Sequence, residues 1–270
     1  MVSLENLHSP ILVRGTGDIA SAVAVQLFRA GYAVLLHDEP APTALRRGMA
    51  FTDAVFDGIA MLDGIDARLV DVSPALHGAL IARNSVLVTV AAFADVLASA
   101  DWSALIDSRM RKRATPELQR GLAPLTIGIG PNFVAGETVD FAIETSLGER
   151  MGAIIQSGAT MALAGEPESL GGAGRERFIY APIAGCVRTA ARIGAVVASG
   201  DVVATIGDVP LSAPLTGVIR GLVHADVFVT SGMKVVEIDP RGDQATAFGL
   251  GERPRRIADG VHQALTNAAS

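Results

Sequence analysis

The chain has 270 residues, of which 50% are hydrophobic and 19% charged, so it can bury one large core or two smaller ones as a globular protein. Acidic residues exceed basic ones by 28 to 22, and the formal charge of −6 argues against nucleic acid or an anionic membrane as a partner. The single cysteine, Cys186, excludes an internal disulfide, and the lack of a secretory signal pattern or a bilayer-length apolar stretch leads us to expect a cytoplasmic protein.

The chain opens with the pattern strand, loop, helix, strand. Residues 11–14 predict a short buried strand, residues 18–30 carry apolar positions at helical spacing, and residues 32–37 predict a second strand. Such an arrangement places the start of the helix at the end of the first strand, where backbone amides face an anion. We therefore expect an α/β fold with a nucleotide-type site at its first turn.

The loop before this helix is rich in glycine. Gly15 would make the tight turn, Gly17 would let a ligand approach the backbone, and Asp18 would cap the helix. Asp38 follows about 20 residues later, where dinucleotide-binding folds hold a ribose. The pattern predicts a dinucleotide-type site, and a purely structural turn is the alternative.

Two arginines, Arg46 and Arg47, follow the second strand and would lie in a loop beside the ligand crevice. Guanidinium groups bind phosphate with two hydrogen bonds, so the pair favours a ribose 2′-phosphate or another phosphorylated ligand. Asp38 favours an unphosphorylated ribose, so the two features disagree about the cofactor. A solvated basic patch is the alternative for the two arginines.

The middle of the chain continues the alternation of strands and helices. Residues 58–72 predict a hairpin around an Asp-Gly turn, residues 73–84 a helix and residues 85–91 a strand. A basic segment, residues 109–113, follows the next predicted strand and, with the preceding arginines, suggests a polyanionic ligand. A further strand leads into a second glycine-rich loop, residues 128–136, for which turn formation alone is a sufficient explanation.

The second half of the chain contains an internal repeat. Residues 181–206 and 213–238 align at a constant offset, which relates Gly200 to Gly232. Short β-rich runs divided by glycine predict strands, and two such units would pair into a small flattened barrel. Cys186 falls on the first strand of the repeat, where we expect a small buried hydrophobe.

The repeat resembles the biotinyl/lipoyl barrel-sandwich hybrid, whose halves carry similar AP-x-x-G and G-D-x-V elements. In carriers of a covalent cofactor, the modified lysine lies in the hairpin between the halves. The corresponding residues here, 207–212, contain no lysine, and Lys234 lies inside the second repeat at the position of Val202. We therefore expect no covalent biotin or lipoate, and a scaffold or docking role for the barrel.

Together these elements predict the fold class α/β with two domains and a tail. A Rossmann-like parallel sheet domain would occupy residues 1–170, and a small all-β barrel-sandwich hybrid domain would follow in residues 171–242. Residues 243–270 would form a C-terminal helical tail. Its helix, from about residue 255, is expected to pack back on the first domain.

The order of motifs along the chain resembles one known family. RGTGDIA is followed by RRGMAF, RMRKR and GPNFVAG, and the repeat ends in IDPRG. In this order the chain is similar to the YqeB-type accessory proteins of the selenium-dependent molybdenum hydroxylase system, which are grouped with the XdhC/CoxI-like maturation factors. The resemblance implies a maturation role and binding residues in the matching motifs, although family members commonly have glycine at the position of Asn132.

The glycine loops, Asp38 and the basic segments supply the candidate cofactor-binding residues. These are Arg14, Gly15, Thr16, Gly17, Asp18, Ile19, Asp38, Arg46, Arg47, Arg109, Lys112, Gly128, Gly130, Pro131 and Asn132. No catalytic residue is predicted, and the five histidines lack the spacing of metal ligands.

Three functions remain open from the sequence. The first is an accessory protein for maturation of a molybdenum hydroxylase, which binds a phosphorylated nucleotide-like or molybdopterin-type cofactor and docks its target enzyme. The second is an NAD(P)-dependent oxidoreductase, for which no convincing proton donor is visible. The third is a non-enzymatic scaffold whose glycine loop binds nothing.

Overall fold

The computed structural model describes residues 10–111, 114–162, 167 and 169–269. Within these residues it contains five α-helices and nineteen strands in four sheets, so the protein is mixed α/β. The first half contains, in chain order, β1 (Ile11–Arg14), α1 (Asp18–Arg29), β2 (Val34–His37), α2 (Asp53–Asp57), β3 (Ile59–Leu62), β4 (Ile65–Leu69), α3 (Ala75–Ala82), β5 (Val86–Thr89), α4 (Phe93–Ala98), β6 (Ala104–Asp107), β7 (Leu125–Ile129), β8 (Val134–Ala135), β9 (Phe141–Ile143), β10 (Ile154–Ile155) and β11 (Gly158–Ala159). The second half contains β12 (Phe178–Tyr180), β13 (Gly185–Arg188), β14 (Val196–Val197), β15 (Val202–Ile206), β16 (Val209–Ser212), β17 (Gly217–Leu222), β18 (Phe228–Val229), β19 (Lys234–Asp239) and α5 (Glu252–Ala269).

The largest sheet has the strand order β10-β9-β7-β6-β1-β2-β5-β4-β3 among the described residues. Its pairs are parallel except at the two edges, where β10 and β9, and β3 and β4, are antiparallel. Successive residues of a strand face opposite sides, so Ile11 and Val13 pack with α1 and α5, whereas Leu12 packs with Leu76 and Leu80 of α3. Helices therefore cover both faces of this sheet.

Most of the first-half elements were predicted, with one correction at the glycine loop. The strand, helix and strand at residues 11–37 are confirmed, and so is the hairpin, whose turn residues Asp63 and Gly64 have φ angles of 53° and 80°. The prediction that Asp18 caps α1 was wrong, because α1 begins at Asp18 and Gly17 is its N-cap. The Asp18 carboxylate instead accepts a hydrogen bond from the amide of Ile19 at 3.0 Å.

The C-terminal helix packs on the large sheet, as the sequence predicted. Ile257, Ala258 and Val261 of α5 are buried in the core that also contains α1. Gly260 allows a close approach, because a Cβ atom there would lie 2.1 Å from the carbonyl oxygen of Gly152.

Two antiparallel four-stranded sheets form the β-repeat unit, defined here as residues 178–239. Their strand orders are β12-β19-β17-β14 and β16-β15-β13-β18. The constant offset of the repeat relates β12, β13, β14 and β15 to β16, β17, β18 and β19 in turn, so one sheet corresponds to the other. The amide of Gly200 donates to Ala213 at 2.9 Å, and the equivalent amide of Gly232 donates to Ala181 at 2.8 Å. The predicted repeat is therefore a structural repeat.

The expectation of a buried Cys186 was wrong, because this residue is exposed. Side chains alternate between the two faces of β13, and Val187 occupies the inward position in the core of the β-repeat unit. Cys186 therefore faces outward, where it pairs across the strands with Phe228.

The loop between β2 and α2 connects the β-repeat unit to the large sheet. The amide of Leu222 donates to the carbonyl of Leu45 at 2.7 Å, and the Leu45 side chain packs against the core of the unit. Gly221 leaves room for this contact, since a Cβ atom there would lie 2.7 Å from Cγ of Leu45. The two sheet systems thus meet beside the glycine loop.

Candidate functional site

A cleft of about 760 Å³ lies between the glycine loop and the β-repeat unit. The central strand β1 pairs with β2 on one side and with β6 on the other. Along the chain, β2 follows β1 directly and β6 comes later, so the direction in which strands are added to the sheet reverses at β1. In open parallel sheets, ligands bind beyond the carboxyl ends of the strands where the strand order reverses in this way. The cleft therefore has the position of a cofactor site.

The glycine loop forms one wall of the cleft and has the shape that the sequence predicted. Gly15 has φ of +107°, and a Cβ atom there would lie 3.1 Å from the carbonyl oxygen of Ser108. The N-cap residue Gly17 has no side chain to cap α1, the Ile19 amide bonds to the carboxylate of Asp18, and nothing lies within 4 Å of a Cβ position at Gly17. The start of α1 thus opens into the cleft beside Ile19.

Asp38 also lines the cleft, but its carboxylate already accepts hydrogen bonds from the glycine loop. Its Oδ2 atom accepts hydrogen bonds from the amide and the hydroxyl of Thr16 at 2.8 and 2.6 Å. Its Oδ1 atom accepts from the amide of Glu39 at 2.9 Å. In this structure Asp38 therefore holds the loop in shape.

Ser108, which the sequence reasoning missed, lies beside Gly15 at the end of β6. Ser108 is only 4% exposed, and its hydroxyl has no hydrogen-bond partner among the residues that the structure describes. Ser108 lines the cleft, but its hydroxyl oxygen is itself buried, so a ligand would bond to it only after the side chain rotates. Its position after a strand next to the reversal of strand order is the sequence signal that could have found it.

Arg46 lies in the cleft, where it joins the start of α1 to the β-repeat unit. Its Nε and Nη2 atoms donate to Glu237 at 2.8 and 3.1 Å, and Nη1 donates to Asp18 at 3.2 Å. Burial opposes the charged form, but the carboxylates of Glu237 and Asp18 outweigh it and raise the pKa of Arg46. Arg177 also donates to Glu237 at 3.3 Å. We name these four residues the Arg46 bridge.

Two other predicted arginines do not line the cleft. Nε of Arg47 donates to the carbonyl of Leu222 at 2.8 Å, and its Nη1 pairs with Asp53 at 2.5 Å. Arg14 is buried under the ring of Phe93, 3.7 Å from its centre, and pairs with Glu117 at 3.0 Å. Both guanidinium groups stabilise the surrounding loops.

Arg109 lines the cleft and is anchored by Asp107 and Glu117. Burial would raise the pKa of Asp107, but hydrogen bonds and charge from Arg109, with a bond from Gln119, hold it below its ordinary value. The basic segment is therefore neutralised in part by its own neighbours. Lys112 lies outside the described residues.

The second glycine loop does not line the cleft. A Cβ atom at Gly128 would lie 2.3 Å from the ring of Phe133, so glycine is needed here for packing. Gly130 and Asn132 both have positive φ angles, of 107° and 76°, and Pro131 lies between them. Asparagine tolerates this left-handed geometry, so the departure from the family pattern preserves the turn.

The far wall of the cleft comes from segments that no motif marked. Thr145, Ser146 and Met161 line it, and the buried carboxylate of Glu144 accepts hydrogen bonds from all three of their amides at 2.7, 2.8 and 2.7 Å. Burial would raise the pKa of Glu144, but the amides outweigh it and lower the pKa. Glu144 thus positions this wall.

The β-repeat unit and α5 add cations to the lining of the cleft. Nζ of Lys234 lies 3.5 Å above the ring centre of Phe178, and both residues line the cleft. Arg253 of α5 also lines it and donates to the carbonyl of Thr145 at 3.0 Å. These residues are far apart in sequence, and only folding brings them together.

The described part of the chain contains no group of three or more histidine, cysteine, aspartate or glutamate side chains placed to hold a metal ion. Nor do the described residues include a helix with the length and apolar character needed to cross a membrane. The lining of the cleft combines hydrogen-bond donors, cations and carboxylates.

Comparison with solved structures gives only weak similarity. The ectoine utilization protein EutE (DoeB) from Ruegeria pomeroyi is 22% identical, with 23% of this chain and 21% of that chain covered and a TM-score of 0.22. A succinylglutamate desuccinylase/aspartoacylase from Rhodobacter sphaeroides is 17% identical, with 53% and 59% covered and a TM-score of 0.22. Neither similarity supports a fold or an activity here.

Comparison by sequence gives a clear relative. No protein-family model matches the chain. The uncharacterized protein YqeB of Escherichia coli (strain K12) is 37% identical over 258 residues, which cover 96% of this chain and 47% of that protein. This similarity agrees with the resemblance to YqeB-type proteins that the motifs indicated, and the chain spans about half the length of that relative.

Proposed function

We propose that the chain binds a phosphorylated nucleotide-like or molybdopterin-type cofactor in the cleft, and that it serves as an accessory protein in the maturation of a molybdenum hydroxylase. The observation that carries the binding proposal is the unsatisfied, buried hydroxyl of Ser108 beside the glycine loop. A buried polar group without a partner costs about 1–3 kcal/mol, so its retention in a cleft wall is explained by a ligand that completes it.

The architecture supports the same proposal. The parallel strands β5, β2, β1, β6 and β7 are adjacent in that order, which is the order of a Rossmann-like sheet. The internal symmetry of the β-repeat unit is in keeping with a barrel-sandwich hybrid. In such sheets a phosphate lies at the first helix start, which here opens into the cleft.

Electrostatics at this helix start depend on Arg46. Asp18 lies in the first turn of α1, and its carboxylate alone would repel a phosphate. Because Arg46 pairs with Asp18 at 3.2 Å, this repulsion is reduced. Arg46, predicted as a direct phosphate ligand, is therefore proposed to prepare the site for an anion.

The alternative of an NAD(P)-dependent oxidoreductase requires the Asp38 carboxylate to bind a ribose. A ribose hydroxyl would have to donate to a carboxylate whose Oδ2 atom already accepts two hydrogen bonds from Thr16. The scaffold alternative, in turn, leaves the Ser108 hydroxyl without a function. Neither alternative has a specific observation in its favour.

Mass spectrometry of small molecules released from gently purified protein tests the proposal directly. We expect a phosphorylated pterin or nucleotide at a near-stoichiometric amount, or binding of such a compound in calorimetry when it is added. If neither molybdopterin-type cofactor nor any nucleotide binds, the proposal is wrong. Turnover of a carbonyl substrate with NADH or NADPH would instead support the oxidoreductase.

A further inference from the structure

Two exposed apolar side chains line the cleft. Among the large hydrophobic residues that the structure describes, most are buried in a core, and of the exposed ones only Leu147 and Met161 belong to the cleft lining. Leu147 is 52% exposed and Met161 is 50% exposed. Single exposed hydrophobic side chains are ordinary at a protein surface, whereas apolar side chains inside a cleft are typical of sites for small molecules.

The two side chains come from separate segments that one buried carboxylate holds together. Glu144, which is 1% exposed, accepts hydrogen bonds from the amides of Thr145 and Ser146, just before Leu147, and from the amide of Met161. The hydroxyl of Ser146 also donates to the sulfur of Met161 at 3.4 Å. Met161 therefore contacts the residue next to Leu147, and we name this part of the lining the Leu147–Met161 wall.

The hydrogen bonds of Glu144 keep this wall open to the cleft. A carboxylate that accepts three backbone amides fixes both segments, so neither can easily rearrange to bury its apolar side chain against the rest of the protein. Apolar surface that is fixed in an exposed position is favourable to cover, because its burial removes it from water. A ligand with an apolar face would cover it at little cost in ordering of the protein.

The wall lies at a distance from the anion site at α1. Gly15 directly follows β1, whereas Glu144 directly follows β9. The sheet order β9-β7-β6-β1 places three strand intervals between them, which corresponds to about 14 Å. A phosphate at the start of α1 would not reach the Leu147–Met161 wall. The cleft volume of about 760 Å³ is that of a site for a cofactor-sized molecule, which is long enough to contact both places.

The chemistry of the wall favours a flat heteroaromatic ring. A methionine sulfur makes favourable contacts with aromatic rings, and the unbranched methionine side chain adapts to their shape. Ser146 also lines the cleft, so a polar hydroxyl lies beside the apolar pair. A heteroaromatic ring presents an apolar face and polar edge atoms, and it can therefore contact both kinds of group.

We infer that the Leu147–Met161 wall binds the flat heteroaromatic ring of the ligand, while the anionic group of the same ligand lies at the glycine loop. This inference rests on the proposed function and deepens it, because it assigns recognition of the ring to a surface that no motif marked. Nucleobases and pterins share this chemistry, and the experiment below distinguishes them.

Calorimetry with ADP, 6-hydroxymethylpterin and inorganic pyrophosphate tests this inference. We expect ADP or 6-hydroxymethylpterin to bind to the wild-type protein, and the tighter of the two identifies the ring as a nucleobase or a pterin. Met161→Gln should weaken binding of that compound by about tenfold, because an apolar contact with the ring is lost, while pyrophosphate binding changes little.

Two further variants are controls for this measurement. Met161→Leu keeps an apolar side chain and should retain most of the affinity. Met61→Gln makes the same change as Met161→Gln at a methionine of β3 that is 73% exposed and does not line the cleft, so this variant should bind as the wild type does.

The outcomes separate this inference from the proposed function. If ADP or 6-hydroxymethylpterin binds equally to the wild type and to Met161→Gln, only the inference fails. If Met161→Gln weakens ring binding but ADP binds no more tightly than adenosine, the inference holds and the proposal of a phosphorylated ligand fails. If neither ring compound binds to the wild type, the inference is wrong, and mass spectrometry of released molecules decides the proposed function.

A second measurement covers the case in which Met161→Gln does not fold. The wild-type protein is oxidised with dilute hydrogen peroxide, and mass spectrometry follows sulfoxide formation at Met161 and Met61. Protection of Met161 but not of Met61 by the bound ring compound, without protection by pyrophosphate, supports the inference. Equal oxidation of Met161 with and without the ring compound contradicts it.

Discussion

The Ser108 hydroxyl gives a prediction in which stability and binding change in opposite directions. Ser108→Ala removes a buried polar atom without a partner among the described residues, so the free energy of unfolding of the ligand-free protein should stay the same or rise by up to about 1–3 kcal/mol. Affinity for the cofactor should fall by about tenfold, because the ligand loses one hydrogen bond. Chemical denaturation and calorimetry measure the two quantities.

Ser21 provides the matched control for this substitution. Its buried hydroxyl donates to the carbonyl of Thr16 at 2.9 Å and accepts from the amide of Phe51 at 2.8 Å. Ser21→Ala should therefore lower the free energy of unfolding by about 1–3 kcal/mol. If Ser108→Ala is equally destabilising, the Ser108 hydroxyl is already satisfied and its assignment to a ligand is wrong.

Glu144 gives a prediction about pH. Its pKa in the folded protein is lowered, so its bonds to the amides of Thr145, Ser146 and Met161 stabilise the fold at pH values above the ordinary carboxyl range and are lost as the pH falls through the lowered pKa. Glu144→Gln should reduce the free energy of unfolding at pH 7 by about 1–3 kcal/mol, with a smaller difference below pH of about 4. Urea denaturation at several pH values measures this. A difference that does not depend on pH would show that ionisation of Glu144 is unimportant.

At the scale of elements, glycine-to-alanine substitutions in two helices should change the stability of the protein in opposite directions. Alanine favours a helix interior by about 1 kcal/mol over glycine, and Gly78 in α3 has nothing within 4 Å of its Cβ position among the described residues, so Gly78→Ala should stabilise the protein. A Cβ atom at Gly260 in α5 would lie 2.1 Å from the backbone carbonyl oxygen of Gly152, and overpacking against backbone costs about 1–3 kcal/mol. Gly260→Ala should therefore lower the thermal midpoint while Gly78→Ala raises it. Equal changes in the thermal midpoint for the two substitutions would mean that α5 can move away from Gly152 without a loss of stability.

The sequence predicted elements well where the pattern is local. The periodicity before and after Gly15 identifies β1, α1 and β2, and the Asp-Gly pair identifies the hairpin. The constant offset between the two halves predicted the repeat from which both sheets of the β-repeat unit are built. The exposure of Cys186 was missed, because a strand pattern alone does not say which of its two faces is buried.

The candidate site could be predicted only in part, because its electrostatic partners are distant in sequence. The glycine loop is a local pattern, and it lines the cleft as expected. Arg46 and Glu237, in contrast, are 191 residues apart, and Arg14 and Glu117 are 103 apart. No spacing rule reveals such carboxylates, so the arginines were interpreted as ligands when several of them are held by acids.

At the scale of the whole molecule, the Arg46 bridge joins the glycine loop to the β-repeat unit. The Glu237 carboxylate is fully buried and receives hydrogen bonds from both Arg46 and Arg177. Burial would raise the pKa of Glu237, but the charge of Arg46 and its hydrogen bonds outweigh burial and lower it. The bridge is therefore charged at neutral pH, and removal of the Glu237 charge would leave buried guanidinium groups with less compensation.

Glu237→Gln should accordingly destabilise the whole protein. Removal of one partner from a buried ion pair costs about 3–5 kcal/mol, and we expect a loss of this order in the free energy of unfolding from denaturation at pH 7. Asp226→Asn is the control, since Asp226 and Arg188 form an ion pair in which both side chains are exposed, and such pairs contribute about 1 kcal/mol or less. Because Arg46 also neutralises Asp18 at the start of α1, Glu237→Gln should alter phosphate affinity in calorimetry, whereas Asp226→Asn should not. If the two variants unfold at the same denaturant concentration, the bridge does not couple the glycine loop to the β-repeat unit.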